Sequence, residues 1–436
     1  MSTIDPEKQR RFAVEVVKQL REAGFTAYWA GGCVRDSLLN RTPNDYDVAT
    51  TAHPEQIAAV FRHRKTLAIG AAFGVMTVLG PRGAGQIEVA TFRQDISYTD
   101  GRHPDSVAFS SPEEDARRRD FTINGMFYDP LAEQVIDFVA GQADLQQGVI
   151  RAIGSPRERF TEDKLRMLRA VRFASGFNFR LEENTLTAIR EMASQISVVS
   201  AERIADEMRA MLVQPGRVRA VRLLYLTGLL AAILPEAAQV ADSEAWKVEL
   251  TDELNGPTQT DNQHASRTLA LLAAVEHPSF PLALAVLLLS APADNLAETV
   301  GRRWRLARSE TDRLAWLLAN QQSLNGARAA RWSQVQPLLV ADGADDLLKL
   351  HAAQAALGFA ALEDVAFCRA KLQLPVEQLI PPPLVTGADL ISLGIPTGPV
   401  FAQLLSAARD AQLDGLISDR SAALTYVERL WRESIP

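Results

Sequence analysis

The sequence has only two cysteines in 436 residues, Cys33 and Cys368, and they lie far apart in the chain. This scarcity argues against a disulfide scaffold or a cysteine-based metal site, and it is typical of proteins kept in a reducing compartment. No uninterrupted apolar run reaches the length of a membrane span, and the first residues are polar and charged, unlike an export signal. The sequence therefore predicts a cytoplasmic protein without a membrane anchor.

An excess of positive charge is also missing. The formal net charge is −7, with 24 Lys and Arg against 23 Asp and Glu in residues 1–180, and 22 against 30 in the remainder. Composition alone thus favours an acidic protein with no nucleic-acid partner, and any RNA contact must come from local arginine clusters and be salt-sensitive. The length allows two to four domains, and the composition is that of a globular protein.

The most informative stretch runs from Gly31 to Asp47. Apolar residues on both sides predict a strand, a tight Gly-Gly turn, a short helix, a turn at residues 42–44 and a second strand. Two glycines let backbone amides approach a phosphate closely. Asp45 and Asp47 are two residues apart, so on a strand they share one face and repel each other unless a cation such as Mg²⁺ lies between them. Either signal alone is more often only a turn or a solvated cap.

Further candidate residues follow in two charged motifs and one strand. Arg119 and Asp120 precede a stretch that predicts an apolar helix. Glu88 lies inside a predicted strand, where it is either a third carboxylate beside the metal or, as we favour, a support for a neighbouring arginine. From Glu162 to Phe173, a predicted helix carries polar side chains at every third residue: Asp163, Arg166, Arg169 and Arg172.

That polar face has two interpretations. Without context, a helix crossed by salt bridges is the common one. The alternative is a template for bases, since cytosine and adenine each offer an amino donor beside a ring-nitrogen acceptor. Asp163 can accept from the amino group while Arg166 donates to the ring nitrogen, whereas uracil and guanine would set acceptor against acceptor and donor against donor.

In this order, the motifs resemble those of the bacterial-type, class II CCA-adding tRNA nucleotidyltransferases and poly(A) polymerases. The resemblance implies transfer of C and A from CTP and ATP to the 3′ end of tRNA, with Mg²⁺ ions held by Asp45 and Asp47 in a two-metal site. It also implies nucleotide contacts from Gly32, Arg35, Arg119, Asp120, Asn124, Asp163, Arg166, Arg169 and Arg172. Of these, Arg119, Asp120 and Asn124 would serve phosphate and ribose, and Arg169 and Arg172 the triphosphate or the RNA end.

The expected architecture is α+β, with a head of mixed sheet and helices followed by an elongated all-α part. The predicted domains are a head at 1–150, a neck at 151–215, a helical body at 216–300, and a body and tail at 301–436 that binds tRNA. The alternatives are an enzyme that adds only A and, ranked third for want of a strongly basic flank, a poly(A) polymerase. In the family that the chain resembles, the loop at 93–117 carries a flexible element used when specificity changes from C to A, and its full length here weighs against a CC-only enzyme. A catalytically silent RNA-binding or nucleotide-sensing protein is the alternative of a different class.

Overall fold

The computed structural model describes residues 4–61, 66–67, 74–95, 107–243, 266–291 and 294–434. The chain divides into two compact units, Met1–Asp261 and Asn262–Pro436. Residues 96–106 of the loop predicted at 93–117 lie outside the described residues. The loop prediction is wrong for much of the remainder, which forms the strands Arg93–Asp95 and Val107–Phe109 and the helix Pro112–Arg117. The finer division into head, neck, body and tail stays a prediction.

The first unit contains all the strands of the described residues. They are β1 (Ala27–Ala30), β2 (Asp47–Thr50), β3 (Thr66–Leu67), β4 (Val75–Leu79), β5 (Gln86–Thr91), β6 (Arg93–Asp95), β7 (Val107–Phe109), β8 (Phe127–Asp129), β9 (Gln134–Ile136), β10 (Val149–Ile150) and β11 (Arg180–Leu181). Its helices are α1 (Pro6–Glu22), α2 (Gly32–Leu38), α3 (Pro54–Phe61), α4 (Pro112–Arg117), α5 (Gly141–Gln147), α6 (Pro156–Glu162), α7 (Leu165–Phe177), α8 (Glu183–Met192), α9 (Ala201–Leu212), α10 (Arg217–Leu226), α11 (Leu229–Ile233) and α12 (Pro235–Ser243).

The main sheet has the strand order β3-β4-β5-β2-β1-β8-β9. Strands β2 and β5 pair in parallel and the other neighbours pair antiparallel, so the sheet is mixed, as predicted. Helix α1 begins at Asp5, whose carboxylate accepts from the amides of Glu7 and Lys8, and it buries Val16, Val17 and Leu20. This apolar side of α1 contributes to the core beside β1 and β2.

The predicted strand, turn, helix and second strand around Gly31 are confirmed as β1, α2 and β2. Gly31 has φ of 74°, a conformation that side chains rarely adopt, and it forms the turn between β1 and α2. One detail differs from expectation, because Asp45 lies in the loop before β2 and Asp47 is the first residue of that strand. The two carboxylates therefore do not share a strand face by simple alternation.

Two helix predictions need correction. After Asp120 the chain makes a single 3₁₀ turn at Thr122–Asn124 and then enters β8, because this segment packs into the sheet instead of continuing as a helix. The helix predicted from Glu162 is two helices. Asp163 has extended backbone angles between α6 and α7, and its carboxylate accepts from the amide of Leu165, which stabilises the start of α7.

The second unit is helical throughout its described residues. Its helices are α13 (Arg267–Ala274), α14 (Phe280–Leu288), α15 (Leu296–Trp304), α16 (Arg308–Ala319), α17 (Trp332–Leu339), α18 (Ala344–Ala356), α19 (Leu362–Leu372), α20 (Val376–Leu379), α21 (Gly387–Ser392), α22 (Pro399–Leu413) and α23 (Arg420–Ser434). A separate apolar core at its end includes Leu390, Ala423 and Val427. Among the described residues of both units, no helix has the length and apolar character needed to span a membrane.

Candidate active site

Three carboxylates meet at the edge where β2 begins. Asp47 is the register partner of Glu88 on the parallel strand β5, and Asp45 precedes it by two residues. The pKa of Asp47 is raised to about 6, first by burial and then by the negative charges of Asp45 and Glu88, while Arg119 acts in the opposite direction. This concentration of negative charge is unfavourable for the protein alone and favours a bound cation.

The donor set fits a hard divalent ion. Across the described part of the chain, the carboxylates of Asp45, Asp47 and Glu88 form no hydrogen bond or ion pair with another side chain. No group of three or more His, Cys, Asp or Glu in that part is arranged to hold a metal. Mg²⁺ commonly takes one or two carboxylates together with substrate phosphates. Asp45 and Asp47 are therefore candidate ligands for a metal ion whose coordination substrate oxygens would have to complete.

The position of Glu88 differs from the role we favoured for it. Glu88 is the register partner of Asp47 and repels its carboxylate, and no arginine in the described residues forms an ion pair with Glu88. Glu88 thus contributes to the negative field at the end of β2. Among the described residues, Glu88 does not form a group with Asp45 and Asp47 that could hold a metal ion, so a role as a third metal ligand lacks support.

The glycine turn lies against one of the predicted phosphate ligands. A Cβ atom built at Gly31 would lie 3.0 Å from Nη1 of Arg119, so a larger residue would crowd that guanidinium. Asp115, almost fully buried, accepts from Arg119 at 3.0 and 3.2 Å and also from Arg118. The ring of Phe127 lies 5.2 Å from the Arg119 guanidinium carbon. Arg119 is therefore held in a fixed position beside the Gly31 turn.

A continuous chain of hydrogen bonds joins four of the predicted site residues. Arg35 donates from Nη1 to Oδ1 of Asn124 at 2.7 Å, and Asn124 donates from Nδ2 to Asp120 at 3.1 Å. Arg169 then donates to the other oxygen of Asp120 at 2.6 and 2.9 Å. Arg35 lies on α2, Asn124 in the 3₁₀ turn and Asp120 just before that turn, so these hydrogen bonds connect α2 and the turn to α7, the helix that carries the arginine series.

Asp120 is the charged centre of this chain. Burial alone would raise its pKa, but the positive charge of Arg169 and the hydrogen bonds from Asn124 and Arg169 outweigh it and lower the pKa to about 2. Its side chain is 11% exposed, so the pair is only slightly screened by solvent. A carboxylate held ionised in this way can accept hydrogen bonds at any physiological pH.

The depressed pKa makes a stability prediction. Relative to Asp120→Asn, the wild type should gain about 2 kcal/mol of unfolding free energy near neutral pH, because the folded state stabilises the ionised form more strongly than the unfolded state does. The gain should be complete above the unfolded pKa near 4 and should disappear as the pH falls towards 2. Urea unfolding of both proteins between pH 2 and 7 measures this.

Glu113→Gln, which breaks an exposed pair with Arg117, is the control and should change stability by less than about 1 kcal/mol. A difference for Asp120→Asn that does not vary with pH would contradict the assignment.

The arginines of α7 have separate acidic partners. Arg166 pairs with Glu162 and also donates to the backbone oxygen of Arg159 at 3.0 Å. Arg172 lies 2.9 Å from Glu207 of α9. The pKa of Glu207 is raised, mainly by burial, although Arg172 and Arg169 act in the opposite direction. The salt-bridged interpretation of this helix face is thus correct as a description of its contacts, and it leaves a binding role open.

Asp163 is paired with a residue that the sequence analysis missed. Arg203 of α9 donates to both oxygens of Asp163, at 2.7 and 3.2 Å, whereas Arg166 does not contact that carboxylate. Arg203 and Glu207 are four residues apart, so they lie on the same side of α9 and face the charged residues near α7. The four-residue spacing of Arg203 and Glu207, together with the surplus of arginines in α7, was the sequence signal that could have indicated these partners.

Comparisons with known proteins identify the family of the chain. Residues 27–151 match the family described as "Poly A polymerase head domain", and residues 178–240 match "Probable RNA and SrmB- binding site of polymerase A". The CCA-adding enzyme of Lactobacillus johnsonii is 33% identical over 418 residues, which is 95% of each chain. The chain belongs to the CCA-adding enzyme family. As a member it is a nucleotidyltransferase, and the resemblance predicted from the sequence is confirmed.

Other members of the family support the same assignment. The Enterococcus faecalis CCA-adding enzyme is 45% identical over 206 residues, covering 47% of this chain and 50% of that protein. The crystal structure of the Bacillus stearothermophilus CCA-adding enzyme in complex with CTP has a TM-score of 0.74 at 28% identity and covers 98% of both chains. The Thermotoga maritima enzyme complexed with tRNA shares the fold, with a TM-score of 0.63 at 21% identity. The predicted α+β fold class is thereby confirmed.

Proposed function

We propose that this nucleotidyltransferase transfers C and A from CTP and ATP to the 3′ end of tRNA. Two features of the first unit carry the proposal. One is Asp45 and Asp47 near the Gly31 turn, which pair with no side chain among the described residues, and the other is the hydrogen-bonded chain from Arg35 to Arg169. Together they provide a place for a cation, a phosphate and a ribose next to a helix rich in arginine. The family's full-length relatives and the CTP complex of a relative support the same substrates.

Asp45 and Asp47 are the residues that would hold Mg²⁺, and the requirement for this metal is part of the proposal. When bound there, the metal supplies charge neutralisation at the transferring phosphate and lowers the pKa of the terminal RNA hydroxyl. Within the described residues no hydrogen-bond donor occupies the oxygens of these two carboxylates, so the oxygens are available as ligands, and a bound cation would offset the repulsion that raises the pKa of Asp47. Two-metal catalysis is the arrangement that the family resemblance favours.

The residues around the carboxylates position the nucleotide. Gly32 begins α2, and its lack of a side chain leaves the backbone open to a phosphate oxygen. Arg35 and Arg119, each fixed by partners within the protein, supply positive charge to the triphosphate. Asp120 accepts from ribose hydroxyl groups, and Asn124 orients its carboxylate. Catalysis in this proposal comes from positioning and charge stabilisation, without a covalent intermediate.

Base selection falls to Asp163 and Arg166 at the start of α7. The Asp163 carboxylate can accept about one further hydrogen bond. A carboxylate accepts up to about four, and Arg203 and the amide of Leu165 donate three. It can therefore accept from the amino group of cytosine or adenine while Arg203 holds it in place. Arg166 carries five N–H donors, and those not used by Glu162 and the backbone can reach the ring nitrogen.

The product is expected to be the complete CCA end. The full-length relative at 33% identity bears that activity in its name, which favours CCA addition over the addition of A alone or poly(A) synthesis. Residues 178–240, which match an RNA-binding family, are the first candidates for contacts to tRNA within the first unit.

A primer-extension assay tests the function directly. Transcripts of tRNA that end before the first C, after the first C and after the second C are each given CTP, ATP or both with Mg²⁺. We expect two cytidines and then one adenosine on the shortest transcript when both nucleotides are present, and a single adenosine on the longest. Addition of A alone to the longest transcript would identify an A-adding enzyme, and untemplated long tails would identify a poly(A) polymerase. Binding of tRNA without any incorporation would overturn the proposal in favour of a silent RNA-binding protein.

A further inference from the structure

A cavity of about 620 Å³ lies in the first unit beside the candidate site. It is bounded by the loop at 41–44, the end of α7 from Arg172 to Phe177, and residues 214–216. The loop leads directly to Asp45, because Asn44 is the last of its lining residues. The cavity is therefore lined by the residue that precedes Asp45, and it shares Arg35 with the hydrogen-bonded chain of the candidate site.

The lining of this cavity is positively charged. Arg35, Arg41 and Arg172 contribute three guanidinium groups, whereas Asp36 is the single acid among the described lining residues. Asp36 is already paired with Arg35 at 2.8 Å, and Arg172 is paired with Glu207 outside the lining. The pKa of Arg172 is lowered by burial and by the neighbouring charges of Arg169 and Arg35, while Glu207 opposes this. An anion in the cavity would relieve that excess of positive charge.

Arg41 differs from the other two arginines in how it is held. Its guanidinium carbon lies 5.0 Å from the centre of the Phe177 ring, and within the described chain it forms no ion pair. The same ring lies 4.7 Å from the guanidinium carbon of Arg35. An aromatic ring positions a guanidinium without neutralising it. Arg41 is thus exposed, oriented and available for a planar, bidentate contact with a phosphate.

The order of residues along α7 indicates which phosphate that is. The proposed base contact is at Arg166, the partner of the ribose-binding Asp120 is Arg169, and the cavity begins at Arg172. From Arg166 to Phe177 the helix rises about 16 Å, which is comparable with an extended nucleoside triphosphate. The cavity therefore lies at the end where the β- and γ-phosphates would be, beside the loop that carries Asp45.

We infer that Arg41 forms a subsite for the pyrophosphate end of the nucleoside triphosphate and for the pyrophosphate that leaves. The inference rests on the proposed function and adds a residue to it. Since the same contact serves CTP and ATP, Arg41 should affect both nucleotides equally and should not contribute to the choice of base.

The test compares the wild type with Arg41→Ala and Arg41→Lys. We measure KM for CTP, ATP and tRNA, inhibition of nucleotide addition by inorganic pyrophosphate, and binding of inorganic pyrophosphate by calorimetry in the presence of Mg²⁺. Loss of one charge-assisted contact should raise both nucleotide KM values and weaken pyrophosphate binding about ten-fold in Arg41→Ala. Arg41→Lys should recover part of the loss, and KM for tRNA should not change.

Arg267→Ala is the matched control, because Arg267 also lies over an aromatic ring, 4.6 Å from Phe359, but belongs to the second unit. It removes the same charge and should leave all these values unchanged. Unaltered pyrophosphate binding in Arg41→Ala would overturn the inference, as would an increase confined to KM for tRNA, which would assign the contact to the RNA backbone. A wild type that binds pyrophosphate through Arg41 but adds no nucleotide would refute the proposed function and leave the subsite standing.

Discussion

Replacement of Asp47 by alanine is expected to reduce nucleotide addition by about a thousand-fold or more, with tRNA binding close to that of the wild type. Asp47 is proposed as a metal ligand, and its neighbour Asp45 should give the same loss when replaced. The stability of the folded protein should not fall, because burial and the negative charges of Asp45 and Glu88 outweigh the attraction of Arg119 for Asp47. Its removal relieves repulsion, so the unfolding temperature should stay equal or rise. Single-turnover rates, filter binding of tRNA and thermal unfolding measure the three expectations.

Glu22→Ala serves as the control for this experiment. Glu22 is an exposed carboxylate at the end of α1, 3.9 Å from Lys18 and remote in sequence from the site, so its loss should alter none of the three values. Substantial addition by both Asp45→Ala and Asp47→Ala would contradict the assignment of these residues. A loss of activity accompanied by a lower unfolding temperature would instead indicate a structural role for the carboxylates.

The local elements around the site could be predicted because their signals are local. The apolar residues before Gly31, the two glycines and the turn at residues 42–44 each restrict the backbone over a few residues, and β1, α2 and β2 follow them. The periodicity of Arg166, Arg169 and Arg172 likewise placed these residues on one helix. Glycine conformations and helical periodicity do not depend on distant parts of the chain.

Partners distant in sequence could not be predicted in this way. Asp120 and Arg169 are separated by 49 residues, and Asp163 and Arg203 by 40. They meet only because the chain folds back so that α7 packs against β10, β11 and α9. The break at Asp163 was missed for a related reason. No glycine or proline marks it, and the chain leaves helical geometry where the Asp163 side chain bonds to the amide of Leu165 and to Arg203. Such side-chain competition with the backbone becomes visible only in the structure.

Replacement of Asp163 by alanine is expected to relax the choice of base, so that kcat/KM for CTP relative to UTP, and for ATP relative to GTP, falls by about a hundred-fold. The carboxylate attracts the amino donor of cytosine or adenine and repels the carbonyl of uracil or guanine. Its removal should therefore weaken the binding of CTP and ATP and remove the repulsion that disfavours UTP and GTP. The ratio is the decisive measurement. A smaller fraction of folded enzyme would lower kcat/KM equally for all four nucleotides, so this effect cancels in the ratio. Asp206→Ala is the control, since Asp206 pairs with Arg209 on an exposed part of α9 and should leave the ratios unchanged. Unchanged ratios in Asp163→Ala, with Arg203 deprived of its partner, would show that this carboxylate only anchors α9 and that the bases are read elsewhere.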